Sequence, residues 1–343
     1  MLKRKIKKKK NILIRKKIPK SIHKKPKSYF FIILKRNIIK CIYIIILFSI
    51  FLLFNNSFIL DIIYTFLLKY TSRNIKVGLC AVGKGENLYA KEFVNYYKKL
   101  GYNHIFIYDN NPPKGERFED VIQEEINSNF VSIIDVRRKI IPQCFAYRDC
   151  YSKNSKNFDW LSFFDFDEFL EVTPKAKTIQ EFLGNKRYDK CVNVKINFLY
   201  YTDNDLLYYD PRPLQVRFTK PCYKCYNNMV IKSTVRGGLD KNYWAIGCTP
   251  HTSHANYTSC NSLGEVIHHK SGVVKPPIFL YARLKHYYSK SLQEYVNKSK
   301  RGDAFIPTYW NQGRKMQKFR HYFLYSNRTK EKEELLKKYF DMK

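Results

Sequence analysis

Read from residue 75 onward, the chain alternates short apolar runs with amphipathic stretches. "KVGLCAV" (76–82) is continuously apolar and ends at "GKGEN", which predicts a buried strand and its loop. "NLYAKEFVNYYKKLG" (87–101) places Leu88, Phe93, Tyr96, Tyr97 and Leu100 near helical spacing, with Gly101 as a natural stop. "HIFIYDNN" (104–111) predicts a second strand, "FEDVIQEEI" (118–126) a helix, and "FVSIIDV" (130–136) a third strand. "PQCFAYRDCYSKN" (142–154) predicts a helix, and "WLSFFDFDEFL" (160–170) a fourth strand. Strands alternating with helices predict βαβ units, hence an α/β fold whose mostly parallel sheet is flanked by helices. Beyond these units, "RPLQVRF" and "IKSTVRGG" predict strands and a turn, with Arg217, Lys232 and Arg236 on the wall or rim of a site. Residues 306–343 predict a charged amphipathic helix that packs rather than reacts.

The amino end follows a different pattern. Residues 1–40 hold 17 Lys or Arg and no acid, and "CIYIIILFSIFLLFNNSFIL" (41–60) is free of formal charge. Twenty such residues suffice for a helix to span a bilayer. A cleaved leader would have a far shorter basic region and a small-x-small cleavage site, which "NNSFILD" lacks. Six basic residues lie in 21–40 and three in 61–80, an asymmetry that leaves the amino end cytoplasmic. The sequence thus predicts a polybasic tail (1–40), a single transmembrane anchor in the lipid bilayer (41–60), a stem (61–74) and a domain across the membrane. In a eukaryotic cell that membrane is the Golgi or another secretory membrane.

This arrangement reinterprets the formal charge of +34, half of whose excess lies in the tail. A basic tail can bind nucleic acid or an anionic membrane. With an anchor following at once, membrane binding is expected and nucleic acid is not. The remaining basicity accompanies a chain rich in Lys, Ile, Asn, Tyr and Phe and needs no partner. Of nine cysteines, eight lie beyond the anchor. In an oxidising lumen one or two disulfides are expected among Cys222, Cys225, Cys248 and Cys260.

In parallel sheets, ligands bind beyond the carboxyl ends of the strands. The three polar strand ends there are Lys84 to Asn87, Asp109 to Asn111, and Asp165 to Glu168. On a strand Asp165 and Asp167 share a face, and a divalent cation would relieve their repulsion. Glu168 would face away and is assigned support. Phosphatases of the haloacid-dehalogenase type also place Asp-x-Asp after an apolar strand. They need Thr or Val where Phe169 stands here, and their motif opens the domain.

Five stretches, in order, resemble glycosyltransferase family 92 and the related family-2-like enzymes: "CAVGKGENLYAKEFVNYYKKLG", "IFIYDNN", "PQCFAYRDCY", "WLSFFDFDEF" and "KHYYSKSLQEYVNKSKRGD" (285–303). The resemblance covers about residues 75–305. Gly85, where that family commonly has an acidic residue or Asn, and the loop "TPHTSHANYTSC" depart from it. It implies a GT-A-type fold over 75–305 and transfer of a sugar, galactose being the candidate, from a UDP-linked nucleotide sugar to a glycan acceptor. It further implies Asp165, Asp167 and His286 as ligands of Mn²⁺ or Mg²⁺. Donor contacts would come from Lys84, Glu86, Asp109, Asn110, Gln143, Asp165, Lys290 and Arg301. For an inverting reaction the candidate bases are Asp203, Asp205 and Glu265, among which spacing does not choose. The rival reading is a non-catalytic, membrane-anchored glycan-binding protein with a degenerate transferase domain.

Overall fold

The computed structural model describes residues 42–47, 49, 75–172, 176–239, 249–251, 257–268, 271–302 and 315–342. By its contacts the chain divides into residues 1–60 and 61–343. Within the first unit, residues 42–47 are helical. The tail, the stem and most of the expected anchor over 41–60 lie outside the described residues. Among the described residues no helix is long and apolar enough to cross a membrane.

The second unit is built on β1 (Val77–Gly83), α1 (Asn87–Lys99), β2 (His104–Asp109), α2 (Glu119–Asn127), β3 (Val131–Asp135), α3 (Pro142–Asn154) and β4 (Trp160–Phe163). The first six fall where the hydrophobic pattern puts them, and β4 takes only the first part of the strand expected over 160–170. One detail differs: α1 buries Tyr89, Ala90, Phe93, Val94 and Tyr97, while Leu88 is exposed on its first turn. The inward stripe begins one residue later than the apolar spacing implies.

After β4 come β5 (Glu168–Val172), α4 (Ile179–Leu183), β6 (Asn193–Tyr200), α5 (Leu214–Arg217) and β7 (Ile231–Arg236). The short strands β8 (Ser259–Cys260) and β9 (Val266–Ile267) follow, then β10 (Ala282–His286), α6 (Leu292–Arg301), α7 (Lys315–Tyr322) and α8 (Lys330–Tyr339). The sheet runs β3-β2-β1-β4-β7-β6-β10-β5, with β8 and β9 attached beside β6. Its first four strands are parallel, as expected. The rest is mixed: β7 is antiparallel to β4 and β6, β10 is parallel to β6, and β5 is antiparallel to β10. The expectation of a mostly parallel sheet therefore holds for one half only. "RPLQVRF" is a further correction, since it forms the helical turn α5 rather than a strand.

The largest correction concerns "WLSFFDFDEFL". It is two strands, not one. The chain leaves β4 after Phe163, turns through residues 164–167, and re-enters the sheet at the far edge as β5. Phe166 pins this turn. It is buried against Phe93 and stacked on Phe118, with ring centroids 4.6 and 5.1 Å away. Burying one such ring is worth roughly 2–3 kcal/mol. Gly83 makes room for it: a Cβ there would lie 2.4 Å from Phe118 and 2.8 Å from Phe166.

Between described residues the disulfides are Cys80–Cys150, Cys191–Cys260 and Cys222–Cys225. Cys144 is disulfide-bonded as well. Of the expected set, Cys222 and Cys225 pair with each other, Cys260 pairs outside the set with Cys191, and Cys248 lies outside the described residues. Because the packing around Gly83 is closed, Gly83→Ala should lower the free energy of urea unfolding by about 2 kcal/mol. A change under about 0.5 kcal/mol would mean that the two rings yield easily.

Candidate active site

A cavity of about 560 Å³ opens where β1, the β4–β5 turn, β10, α6 and α7 meet. Lys84, Glu86, Gln143, Asp165, Asp167, His286 and Arg301 line it, so seven of the expected site residues come together. Two strand features set the geometry. The β4–β5 turn presents Asp165 and Asp167 on either side of the buried Phe166. The register of β5 against β10 then places His286 directly opposite Glu168. The turn is closed by Glu168 itself, whose Oε2 accepts the Asp165 backbone N–H at 3.0 Å.

Asp167, Glu168 and His286, all buried, offer one ligand atom each within 4.8 Å of one another. His286 Nε2 is 3.7 Å from Asp167 Oδ1 and 4.0 Å from Glu168 Oε1, too far for hydrogen bonds. The imidazole is held between Phe198 and Tyr200, with Tyr288 set edge-on to it. Glu168 Oε1 is buried without a hydrogen bond, although Lys232 Nζ lies 3.3 Å away. Burial drives the imidazole toward its neutral form, down to about 3, with Lys298 and Lys232 adding to the effect against the pull of Asp167. Burial also raises the Glu168 carboxyl well above its usual range, despite Lys232. Asp167 differs: burial would raise it, but Lys298, His286 and Lys290 together hold it well below the carboxylate range.

This cluster differs from the ligand set drawn from the sequence by holding Glu168 in place of Asp165. Once the strand breaks at 164–167, period-two alternation no longer carries from Asp165 to Glu168. Glu168 enters the cluster instead of facing away. Asp165 stands beside it on the cavity rim, its Oδ2 receiving Lys232 Nζ at 2.7 Å and its Oδ1 receiving the Tyr147 hydroxyl. Two carboxylates and a neutral imidazole, with an oxygen left without a hydrogen bond, fit a divalent cation such as Mn²⁺ or Mg²⁺.

Cations surround the acids. Arg301 bonds Glu86 and donates to the Gly85 carbonyl. Gly85 can present that carbonyl because its φ is +62°. Lys290 is buried behind Glu86, 3.5 Å from its Oε2 and over the Tyr89 ring. Lys298 Nζ lies 2.5 Å from Asp167 Oδ2. Lys232 does not line the cavity itself but is buried behind Asp165 and Glu168. Arg217 and Arg236 are structural: Arg217 forks onto Glu294, and Arg236 lies over Trp160 and donates to Tyr188 and Cys191 carbonyls.

Asp109 and Asn110 do not line this cavity. Asp109 is buried and bonded to Arg137, beside a second hollow lined by Asp135, Arg137, Arg138 and Lys139. The three candidate bases are also elsewhere. Asp203 is buried between Tyr322 and Lys332, Asp205 also binds Lys332, and Glu265 holds Asn261 in the β8–β9 turn. The two aspartates therefore tie α7 and α8 to the domain. In return, α7 supplies Gln317, Lys318 and His321 to the cavity wall, so the carboxyl-terminal segment does more than pack.

Helix α6 carries Lys298 and Arg301 and is fixed at its start. Ser291 and Glu294 form a reciprocal cap. Glu294 also accepts from Arg217 and from the Tyr89 hydroxyl, all three residues being buried. Lys290, Glu294, Lys298 and Arg301 recur at helical spacing, the one sequence signal that would have added Lys298 to the site. Removing one member of a buried ion pair strands the other. Arg217→Ala should therefore cost about 3 kcal/mol or more in unfolding free energy, measured by denaturant titration.

Comparison with known proteins agrees with the motif reading. The family model for glycosyltransferase family 92 matches residues 74–219. A glycosyltransferase family 92 protein of Oryza sativa subsp. japonica is 29% identical over 111 residues, covering 31% of this chain and 18% of that protein. One of Ricinus communis is 27% identical over 112 residues, covering 32% and 19%. The alignments thus span about a fifth of those proteins. Among solved structures, the mannosyltransferase PcManGT of Pyrobaculum calidifontis, in complex with GDP-Man and Mn²⁺, is 8% identical with a TM-score of 0.36, covering 77% of this chain and 80% of that one. S. aureus TarS 1-349 in complex with UDP is 9% identical with a TM-score of 0.34, covering 66% and 64%. Over residues 74–219 the chain is thus similar to glycosyltransferase family 92.

Proposed function

We propose that this protein is a metal-dependent glycosyltransferase that moves a sugar from a nucleotide-diphosphate donor to a glycan. The observation that carries the reading is the buried Asp167–Glu168–His286 cluster on the wall of a cavity rich in cations. A bound divalent ion would act as a Lewis acid toward the donor diphosphate and stabilise the departing nucleotide. The chain's own residues do the rest. Arg301 and Lys84 add fixed positive charge where the diphosphate would lie. Phe198, Tyr200 and Tyr288 hold His286 with its Nε2 toward the two carboxylates. Asp165, kept ionised by Lys232, is available on the rim to accept from donor hydroxyls. A UDP-linked donor, with galactose as the sugar, is the candidate drawn from the motif resemblance. The charge-free run at 41–60 behind its basic tail supports a single-pass anchor, with this domain on the far side of the membrane.

Three isosteric variants test the cluster against the ligand set drawn from sequence. Asp167→Asn, Glu168→Gln and His286→Gln should each weaken Mn²⁺ binding by roughly 100-fold and abolish nucleotide release in a sugar-nucleotide screen. Asp165→Asn should retain metal affinity within about fivefold, since Asp165 is bound to Lys232. Undiminished Mn²⁺ binding by Glu168→Gln, with loss in Asp165→Asn, would restore the Asp165-containing set. Full transfer by EDTA-treated Asp167→Asn would overturn metal dependence.

A further inference from the structure

Among the described residues Lys232, Lys290, Lys298 and Arg301 pair with acids at the cavity, and three of these are firmly held. Lys232 is sealed between Asp165 and Glu168, with a side chain 2% exposed. Lys290 is equally buried behind Glu86. Arg301 is held in two places, by Glu86 and by the Gly85 carbonyl. Lys298 is held less firmly. Its side chain is 26% exposed, close to the 22% of Arg301, lines the cavity, and besides Asp167 reaches only the Tyr288 carbonyl, at a long 3.5 Å. It reaches Asp167 Oδ2 from the far end of α6, three residues before Arg301, and passes 4.4 Å from the Tyr288 ring centroid. The residues three apart lie on one helix face, so the Lys298 and Arg301 head groups serve the same wall.

Asp167 is thereby claimed twice. Its Oδ1 faces His286 within the cluster, while its Oδ2 carries the Lys298 ammonium. An ammonium and a divalent ion on one carboxylate repel each other, and a lysine is a flexible point charge that can leave. The nearest anion to receive it would be the donor diphosphate, beside Arg301.

We propose that Lys298 is an exchangeable cation of the site: it neutralises Asp167 while no divalent ion is bound, and binds the donor diphosphate once one is. The inference rests on the metal-dependent transferase reading and adds a substrate-binding residue to it. It predicts effects of opposite sign from one substitution. Removing the ammonium removes a competitor of the metal and a ligand of the diphosphate.

The test compares the wild-type chain with Lys298→Met, which keeps the stem, and Lys298→Arg, which keeps the charge. Mn²⁺ affinity is measured without nucleotide, by electron paramagnetic resonance. UDP and GDP affinity is then measured calorimetrically at saturating Mn²⁺, and thermal unfolding checks the fold. Lys298→Met should bind Mn²⁺ alone about tenfold more tightly and the better nucleotide about tenfold more weakly. Lys298→Arg should recover most of the nucleotide affinity. Parallel weakening of both ligands in Lys298→Met would make Lys298 a structural prop and overturn the exchange. So would an unchanged Mn²⁺ affinity in a variant whose wild-type parent binds the ion. A wild-type protein that binds no Mn²⁺ would overturn the metal reading as well, so the two failures are told apart.

Discussion

An ionised carboxylate taken out of water loses several kcal/mol of solvation unless a cation or hydrogen-bond donors replace it. Asp167 and Glu168 are both nearly inaccessible, and Asp165 and Glu86 stand beside them. Most of what surrounds them is an answer to that cost. Lys232 comes from β7, Lys290 follows β10, and Lys298 and Arg301 come from α6. These four cations reach in from three separate stretches of the second half of the domain. The half that carries the family match supplies the acids, and the remainder supplies most of the counter-charge.

Stability and chemistry are consequently joined at α6. Its cap residue Glu294 is paired with Arg217 from α5 and with Tyr89 from α1, so three elements distant in sequence fix one helix start. From that fixed start the helix projects Lys298 and Arg301 over the cavity. The carboxyl-terminal helices follow the same logic. Lys332 binds Asp203 and Asp205, Tyr322 binds Asp203, and the segment so anchored brings His321 within hydrogen-bond reach of the Tyr288 hydroxyl. Aspartates that looked like chemistry in the sequence are thus fasteners for a wall.

Much of the first half was legible because its information is local. The apolar runs and helical stripes over residues 76–163 specify their own conformation, and the element bounds follow the pattern within a residue or two. The polar strand ends Lys84 to Asn87 and Asp165 to Glu168 signalled the edge where the cavity lies. Asp109 lies outside that cavity, paired with Arg137, also beyond a strand end. Glu168 was missed for a definable reason. The stretch 160–170 has a strand's composition throughout, and only the socket formed by Phe93, Phe118 and Gly83 makes Phe166 turn the chain.

By itself, then, the sequence determined the parallel β1–β4 half and the basic and apolar character of the amino end, while the distant histidine came from the motif resemblance. Tertiary structure alone decided which acid meets that histidine. The decision is one of register: β5 pairs with β10 so that Glu168 stands opposite His286, more than a hundred residues on. It also decided the disulfide partners, the fate of each cation, and the entry of the last helices into the cavity wall. Periodicity records which face of an element is buried. It carries no record of which distant element will cover that face, because that choice is made by packing volume and charge neutralisation summed over the whole domain.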